Sequence, residues 1–252
     1  MKQRITLIFF TFPGLPTVGC AFQTRVGGMS IGPYGRGNIA WNVGDNPDHV
    51  AANRASLDDI LRSRGVGATA ELEQVHGDIL LFDPDETPGN AAPSVKGDGM
   101  ATQRRGLGLL IRTADCQPLL LAHKGGRHIA ALHVGWRGNR CAFPVSGVRR
   151  FCEKYGIKPA DLLAVRGPSL SPARAEFVHF DREWGPEFRP WFDPATRTMN
   201  LWGLVKAQLL EAGLRERDIY GLDLCTAENS ELFFSYRAEK VCGRQANLIW
   251  IR

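Results

Sequence analysis

Short apolar runs separated by glycine and proline dominate this chain, and they predict a protein built around buried β-strands. The central runs contain few polar residues, which is typical of strands in the interior of a sheet. The expected strands are residues 5–12, 17–26, 73–82, 107–111, 119–122, 128–134, 162–165, 222–224 and 246–251. Residues 83–99 are rich in proline, glycine and aspartate and are predicted to form a surface loop.

Three longer segments are predicted to be helices. In Pro47–Arg62 the apolar residues fall on one face, and Asn46 or Asp48 is the expected cap. Phe143–Tyr155 and residues 201–212 are the other two, and each is followed by a glycine that ends it. Strands and helices mix without strict alternation. We therefore predict an α+β fold, with mixed β-sheet layers and flanking helices in one compact domain.

The length and charge of the chain limit the number of domains and the kinds of partner that we expect. The 252 residues suit a single domain, and we expect one catalytic domain over residues 1–252. The net charge of +5 favours anionic ligands, but no basic run is interleaved with aromatic residues, so no nucleic-acid partner is expected. No segment approaches the roughly 20 apolar residues of a spanning helix, and Pro13 and Gly14 break the first apolar run. We therefore expect no membrane partner and no signal sequence.

The cysteines favour a reducing, cytoplasmic location. The six positions are irregularly spaced and include no CxxC pair, which in a chain of this length favours free thiols over a disulfide framework. Cys116 differs from the others because it follows a carboxylate, Asp115, between two apolar runs. The other five are expected to be structural or incidental, namely Cys20, Cys141, Cys152, Cys225 and Cys242.

Three short sequence motifs that interrupt the apolar pattern contain the candidate functional residues. They are QVHG (74–77), TADCQP (113–118) and HVGWRG (133–138). Together they supply His76, Cys116 and His133, and two imidazoles with a thiolate form a zinc set one ligand short of a closed tetrahedron. A catalytic metal needs that vacant position. The hypothesis depends on the three side chains meeting in space, because a lone cysteine or histidine is more often an ordinary packed residue.

Three further residues are candidates beside this set. Asp115 is predicted to be catalytic, as a group behind the metal ligands or as a proton carrier, since a carboxylate between apolar strands is costly unless it is paired. Arg25, which leads into a glycine-rich loop, and Arg137 are candidate binders of the substrate. A guanidinium group fits the oxygens of phosphate or carboxylate, so both arginines are predicted to bind anionic groups.

The order of these motifs along nearly the whole chain resembles the YfiH family, also called the peptidoglycan editing factor family. Its members were once described as multicopper polyphenol oxidases or laccases and are now described as purine nucleoside phosphorylases. The matching segments are residues 21–30, 43–47, 74–77, 98–102, 114–116, 133–138, 167–169, 225–226, 233–237 and 243–245. Each segment alone is short, but their combination is specific.

The resemblance implies that His76, Cys116 and His133 are the ligands of a catalytic zinc. It implies phosphorolysis of adenosine, inosine, guanosine and methylthioadenosine, with nucleoside and phosphate as small-molecule partners, and hydrolytic deamination of adenosine. It also implies a fold related to the cysteine-hydrolase-like domain of a toxin deamidase. Some bacterial members are instead linked to removing wrongly incorporated serine from a cell-wall precursor.

Departures from the family pattern bear on substrate preference and leave the metal set intact. Asn42 stands where members often carry histidine, and residues 173–175 replace a common Cys-Cys-Tyr. Three alternatives stay open: a metal-free amidase-type hydrolase with Cys116 as nucleophile and His133 as base, a polyphenol oxidase with copper, and a non-enzymatic binding protein. Blue-copper oxidases need further histidine-rich sites, and the chain has six histidines, although added copper is expected to bind in vitro.

Overall fold

Two mixed β-sheets form the centre of the protein in a computed structural model that describes residues 4–252. The strands are β1 (Leu7–Phe10), β2 (Val18–Gln23), β3 (Ala68–Ala70), β4 (Leu80–Phe82), β5 (Gly99–Thr102), β6 (Leu107–Thr113), β7 (Gln117–His123), β8 (Ile129–Val134), β9 (Leu162–Arg166), β10 (Phe192–Asp193), β11 (Thr198–Met199), β12 (Ile219–Gly221) and β13 (Gln245–Ile251). The first sheet has the order β1-β2-β13-β6-β3 and the second β12-β9-β7-β8-β5-β4, while β10 and β11 form a separate ribbon. Parallel pairs lie at the sheet edges, where β3 joins β6, β4 joins β5 and β12 joins β9.

Six α-helices accompany the sheets in the described part of the chain. They are α1 (Pro47–Arg62), α2 (Trp136–Arg140), α3 (Phe143–Tyr155), α4 (Phe180–Glu183), α5 (Leu201–Glu211) and α6 (Tyr236–Glu239). Helix α1 packs on the first sheet, where Leu57 and Leu61 meet Leu248 and Trp250 of β13. Helices α3 and α5 pack on the second sheet. No helix of residues 4–252 has the length and apolarity needed to cross a membrane.

Successive side chains along each strand point to opposite faces of the sheet. The apolar side chains therefore divide between a core that lies between the two sheets and cores that lie under the helices. In β7, Leu120 and Ala122 point into the core between the two sheets, whereas Leu119 and Leu121 point to the helices. Each central strand is therefore buried on both faces, which explains why the sequence shows nearly continuous apolar runs there. The layers run helix, sheet, sheet, helix, and the predicted α+β fold with mixed sheet and flanking helices is confirmed.

Helix boundaries with local signals agree with the sequence predictions. Helix α1 begins behind Asn46, whose side chain accepts a hydrogen bond from the Asp48 backbone N–H. Helix α3 ends at Gly156, which adopts the left-handed conformation that favours glycine. The first expected strand, β1, and the later strands β6 to β9 and β13 also lie where the apolar runs placed them.

Two strand predictions were wrong, and two elements were missed. Of residues 73–82 only Leu80–Phe82 is a strand. Glu73 forms an isolated bridge with Lys96, and the Asp98 carboxylate accepts the backbone N–H groups of His76 and Gly77 that a ladder would pair. Residues 222–224 lie beyond β12, which ends at Gly221. Strand β5 begins inside the predicted loop at Gly99, where a Cβ would stand 2.7 Å from Leu132, and short α2 was not expected.

Candidate metal centre

The three predicted ligands converge in space. Cys116 occupies the turn from β6 to β7, and His133 lies in the neighbouring β8, opposite Pro118. His76 reaches them from the turn before β4. The ligand nitrogens of the histidines and the cysteine sulfur all lie within 4.8 Å of one another, and the two imidazole rings meet edge to face with centroids 4.8 Å apart.

Asp98 orients two of these ligands from behind. Its buried carboxylate lies 2.8 Å from His133 Nδ1 and accepts the backbone N–H groups of His76 at 2.9 Å and Gly77 at 2.7 Å. Burial raises the pKa of this carboxyl, but the hydrogen bonds from His133 and the backbone outweigh burial and lower the pKa. The ionised carboxylate holds the proton of His133 on Nδ1, which leaves Nε2 free to bind a metal.

Sequence reasoning assigned no role to Asp98. The residue belongs to a segment that carries the family resemblance, 98–102, but its partners come from two other elements, so no local pattern shows its function. A second side chain, Gln74, fixes the other flank of the His76 turn by exchanging two 2.8 Å hydrogen bonds with the Arg112 backbone. The His76 turn is therefore anchored to both sheets.

The thiol and imidazole at the centre alter each other's ionisation. Burial raises the pKa of the Cys116 thiol, but the neighbouring His133 and His76 imidazoles outweigh burial and lower the pKa to about 6. Burial lowers the pKa of His133, but the Cys116 thiolate and the Asp98 carboxylate outweigh burial and raise the pKa to about 9. Each of the two groups therefore stabilises the charged form of the other.

Gly135 gives the cluster its room. This residue joins β8 to α2, and a Cβ built on it would stand 3.1 Å from Cys116 Sγ and 3.1 Å from His76 Cδ2. Its φ of −78° is open to any residue, so crowding rather than backbone strain favours glycine here. The glycine beside His133 in the sequence therefore has a steric reason.

The cluster fits a metal ion by its donor chemistry. Two imidazole nitrogens and one thiolate are ligands that both zinc and copper accept. Among residues 4–252 this is the single group of three or more histidine, cysteine or acidic side chains close enough to share an ion. All three donors line a cavity of about 590 Å³, so a further ligand has access to the ion from that space.

The cavity combines aromatic walls with many charged groups. Trp136 and Phe177 line it and meet edge to face, with ring centroids 6.1 Å apart, and Tyr236 lines it from α6. The cations along the wall are Arg112, Arg137, Arg237, Lys240 and Arg244. The carboxylates are Glu73, Asp115, Glu176 and Glu183. A planar apolar group and an anionic group can both be accommodated beside the metal ligands.

Two of the other predicted site residues line this cavity. Asp115 does so with a left-handed φ of 94°, and its carboxylate accepts hydrogen bonds from the Thr226 hydroxyl at 2.7 Å and the Arg237 backbone N–H at 2.6 Å. The carboxylate thus has structural partners that the sequence did not reveal. Arg137 also lines the cavity, and its guanidinium lies 4.5 Å from the ring centroid of Trp136.

Arg25 is not among the residues that line the cavity. Its guanidinium donates to the carbonyls of Gly35 and Ser230 and to the Glu239 carboxylate, at 2.7 to 2.8 Å, and it lies over the Phe234 ring. The geometry therefore gives no support to direct substrate binding by Arg25. The other five cysteines are unpaired, as expected, and four of them are buried.

The chain is similar to known proteins in both sequence and structure. The family model described as multi-copper polyphenol oxidoreductase laccase matches residues 19–252. Purine nucleoside phosphorylase YfiH of Shigella flexneri is 33% identical, covering 93% of this chain and 94% of the relative. A purine nucleoside phosphorylase of Corynebacterium glutamicum is 34% identical, covering 91% and 93%. The crystal structure of YlmD from Geobacillus stearothermophilus has a TM-score of 0.86 at 28% identity, covering 95% and 94%.

Proposed function

Because the chain belongs to the multi-copper polyphenol oxidoreductase laccase family, whose relatives above are named purine nucleoside phosphorylases, we propose that it is a zinc-dependent purine nucleoside phosphorylase that also deaminates adenosine. One observation carries the proposal: His76, Cys116 and His133 converge at a cavity of about 590 Å³ that also has aromatic walls and an arginine-rich lining. That volume suits a small organic ligand. The proposed substrates are adenosine, inosine, guanosine and methylthioadenosine.

Phosphorolysis sets clear demands on the residues of the cavity. A phosphate oxygen forms a bond to C1′ of the ribosyl group, the C1′–N9 bond breaks, and the purine leaves with the electron pair and takes up a proton. Positive charge develops on the ribosyl group, so the reaction depends on holding phosphate and nucleoside in line. Trp136 and Phe177 are proposed to stack on the purine, and Arg137 to bind substrate oxygens.

The metal ligands and Asp115 complete the proposed site. His76, Cys116 and His133 would hold a zinc ion that supplies Lewis-acid polarisation of an oxygen in its open position. Asp98 keeps His133 in the tautomer that binds a metal. In deamination, water adds to C6 of adenosine and ammonia leaves, giving inosine. Asp115 is proposed to act beside Cys116, holding the ligand turn or carrying a proton.

The proposal is tested by the products that form from adenosine. Protein of measured zinc content is incubated with adenosine, with and without phosphate, and adenine, ribose 1-phosphate and inosine are quantified. We expect ribose 1-phosphate only with phosphate, inosine under both conditions, and neither product with the Cys116→Ala variant. Stoichiometric zinc protein that forms neither adenine nor inosine would exclude a nucleoside substrate.

Two alternatives receive less support. Cys116, His133 and Asp98 stand in the order of nucleophile, base and orienting carboxylate, as a metal-free amidase would require, but the names of the relatives favour the phosphorylase. Cell-wall amide hydrolysis that survives complete metal removal would favour the amidase. A multicopper oxidase needs several copper sites, and residues 4–252 offer one three-ligand group. Six unpaired thiols support a reducing, cytoplasmic setting.

A further inference from the structure

One wall of the cavity is formed by residues 236–244, which contribute three cations. Arg237, Lys240 and Arg244 all line the cavity, and none of these was assigned a role from the sequence. Arg237 lies in α6, and Lys240 caps the C-terminal end of that helix with a positive φ of 57°, so the two cations belong to one short segment. Arg244 stands directly before β13. The segment thus concentrates positive charge on a single wall.

The carboxylates near this wall already have partners. Asp115 accepts hydrogen bonds from the Thr226 hydroxyl and the Arg237 backbone N–H, and Glu239 forms an ion pair with Arg25 at 2.8 Å. Among residues 4–252, neither Arg237 nor Lys240 forms an ion pair of its own. Within the described chain, Arg237 and Lys240 therefore keep charges that no direct ion pair neutralises, although Glu73, Asp115, Glu176 and Glu183 line the same cavity.

The cationic side chains also retain free donors. Arg237 donates one guanidinium N–H, from Nη1, to the Arg174 carbonyl at 3.0 Å. Among residues 4–252, the Lys240 side chain contacts the Tyr236 ring, 5.4 Å from its Nζ, and makes no hydrogen bond. Arg244 uses Nη1 on the carbonyls of Cys242 and Gly243, which leaves Nη2 and Nε. Several N–H donors on neighbouring cations suit an oxyanion with several oxygens, such as phosphate.

This wall is held at two backbone N–H groups and one side chain. Asp115 Oδ2 accepts the Arg237 N–H at 2.6 Å, Arg25 binds Glu239 and the Ser230 carbonyl, and Asn38 Oδ1 accepts the Arg244 N–H at 2.9 Å. Because Asp115 adjoins Cys116 in the chain, one residue fixes the cationic wall relative to the metal ligands. Preorganisation of this kind reduces the cost of ordering the side chains when an anion binds.

We infer that Arg237, Lys240 and Arg244 form an oxyanion subsite that binds inorganic phosphate, the second substrate of the phosphorolysis proposed above, on which this inference rests for the ligand's role. Arg25 is a positioning residue for this subsite, because it holds Glu239 and Ser230 and does not itself line the cavity. The nucleoside is placed at Trp136 and Phe177, which line the same cavity.

The subsite is tested by separating phosphate affinity from nucleoside affinity. The phosphorolysis kinetics of Arg237→Gln and Lys240→Gln are compared with those of wild type. The KM for phosphate is measured at saturating adenosine, and the KM for adenosine is measured at saturating phosphate. We expect the KM for phosphate to rise at least about tenfold in each variant, since charged hydrogen bonds are the strong ones. The KM for adenosine is expected to stay within about twofold, because a lost phosphate contact does not alter uniform binding of the nucleoside.

Three controls keep the comparison interpretable. Arg62→Gln removes an exposed cation from α1, on the far side of the first sheet, and is expected to leave both KM values unchanged. Arg237→Lys is expected to recover part of the phosphate affinity. Thermal unfolding of each variant checks the fold, and Lys240→Gln remains informative if Arg237→Gln unfolds, because the Lys240 side chain is exposed and makes no hydrogen bond within the described chain.

The outcomes distinguish the subsite from the proposed reaction. Normal phosphate KM values in both glutamine variants, or a raised phosphate KM in Arg137→Gln alone, would overturn the subsite while the phosphorylase stands. If wild type forms no ribose 1-phosphate, calorimetric titration with inorganic phosphate decides. Binding that is lost in Arg237→Gln and Lys240→Gln but kept in Arg62→Gln supports the subsite without the reaction. Equal phosphate binding by wild type and all three variants, or no phosphate binding by wild type, overturns the subsite.

Discussion

Asp98 determines how two of the three candidate ligands face each other, because its one carboxylate binds the His133 ring and the turn that carries His76. Replacing it with asparagine keeps the shape but removes the charge that fixes the His133 tautomer. We expect Asp98→Asn to lower zinc affinity about 10- to 100-fold, the usual effect of losing such a partner. Competition with a chromophoric chelator measures this.

A matched control for Asp98 exists at the other end of β5. Asp83 accepts hydrogen bonds from the Thr102 and Tyr155 hydroxyls and does not line the cavity. Asp83→Asn is therefore expected to keep the zinc affinity of wild type. Equal affinities in wild type and Asp98→Asn would show that the carboxylate does not orient a metal ligand.

The Cys116 thiol is expected to be the reactive cysteine of metal-free protein. Its pKa is lowered to about 6, so the thiolate persists above that pH and is lost as the pH falls through about 6. Burial raises the pKa of Cys20, and burial with Glu153 raises that of Cys152 to about 11. Iodoacetamide at pH 7 should modify Cys116 first, as peptide mass analysis will show, and bound zinc should protect it. A reaction rate that rises only above pH 8 would contradict the lowered pKa.

Residue types and spacing predicted the ligand set but not its surroundings. Imidazole and thiolate have few common roles together, so His76, Cys116 and His133 could be grouped from the sequence by chemistry. Asp115 could not be paired with Thr226, which lies 111 positions away, and Arg25 could not be paired with Glu239, which lies 214 away. Contacts of this range depend on the packing of the whole fold, so the sequence could not reveal the partners of either residue.

At the scale of elements, the junction between β8 and α2 is the most constrained part of the centre. Gly135→Ala would bring a methyl group within 3.1 Å of both Cys116 and His76, so either side chain must move. We expect this variant to bind zinc more weakly and to turn over more slowly, with only a small loss of thermal stability. Zinc titration and product formation measure the two effects.

Gly138, three residues further on in α2, provides the control for this change. A Cβ there meets its nearest atoms at 3.6 to 3.8 Å, which is ordinary contact, and alanine favours a helix. Gly138→Ala should therefore bind zinc as wild type does. If the two alanine variants bind zinc equally well, crowding at Gly135 is not what shapes the cluster.

Elements with local signals were predictable, and those defined by side-chain bonding were not. Asn46 caps the start of α1, and Gly156 ends α3 in the left-handed conformation. Both residues stand in the sequence directly beside the helix that they delimit. Residues 73–79 have strand-like composition, yet Asp98 accepts the backbone N–H groups of His76 and Gly77 and holds a turn there instead. The positive φ of 60° at His76 is a consequence of that turn.

At the scale of the whole molecule, the centre lies where the chain crosses from one sheet to the other. Strand β6 belongs to the first sheet and β7 to the second, and Asp115 and Cys116 form the turn between them. The wall of residues 236–244 leads into β13 of the first sheet, whereas His133 ends β8 of the second. Both sheets must therefore pack correctly before the ligands and the cationic wall can meet.

The central claim is that one ion at His76, Cys116 and His133 supports phosphorolysis, and zinc add-back tests it most directly. Metal-free protein is titrated with zinc while ribose 1-phosphate formation from adenosine and phosphate is followed. Turnover should be absent without zinc and rise to a break at one zinc per chain, and Cys116→Ala should show no rise. Full turnover in metal-free protein, or an equal rise in Cys116→Ala, would contradict the claim.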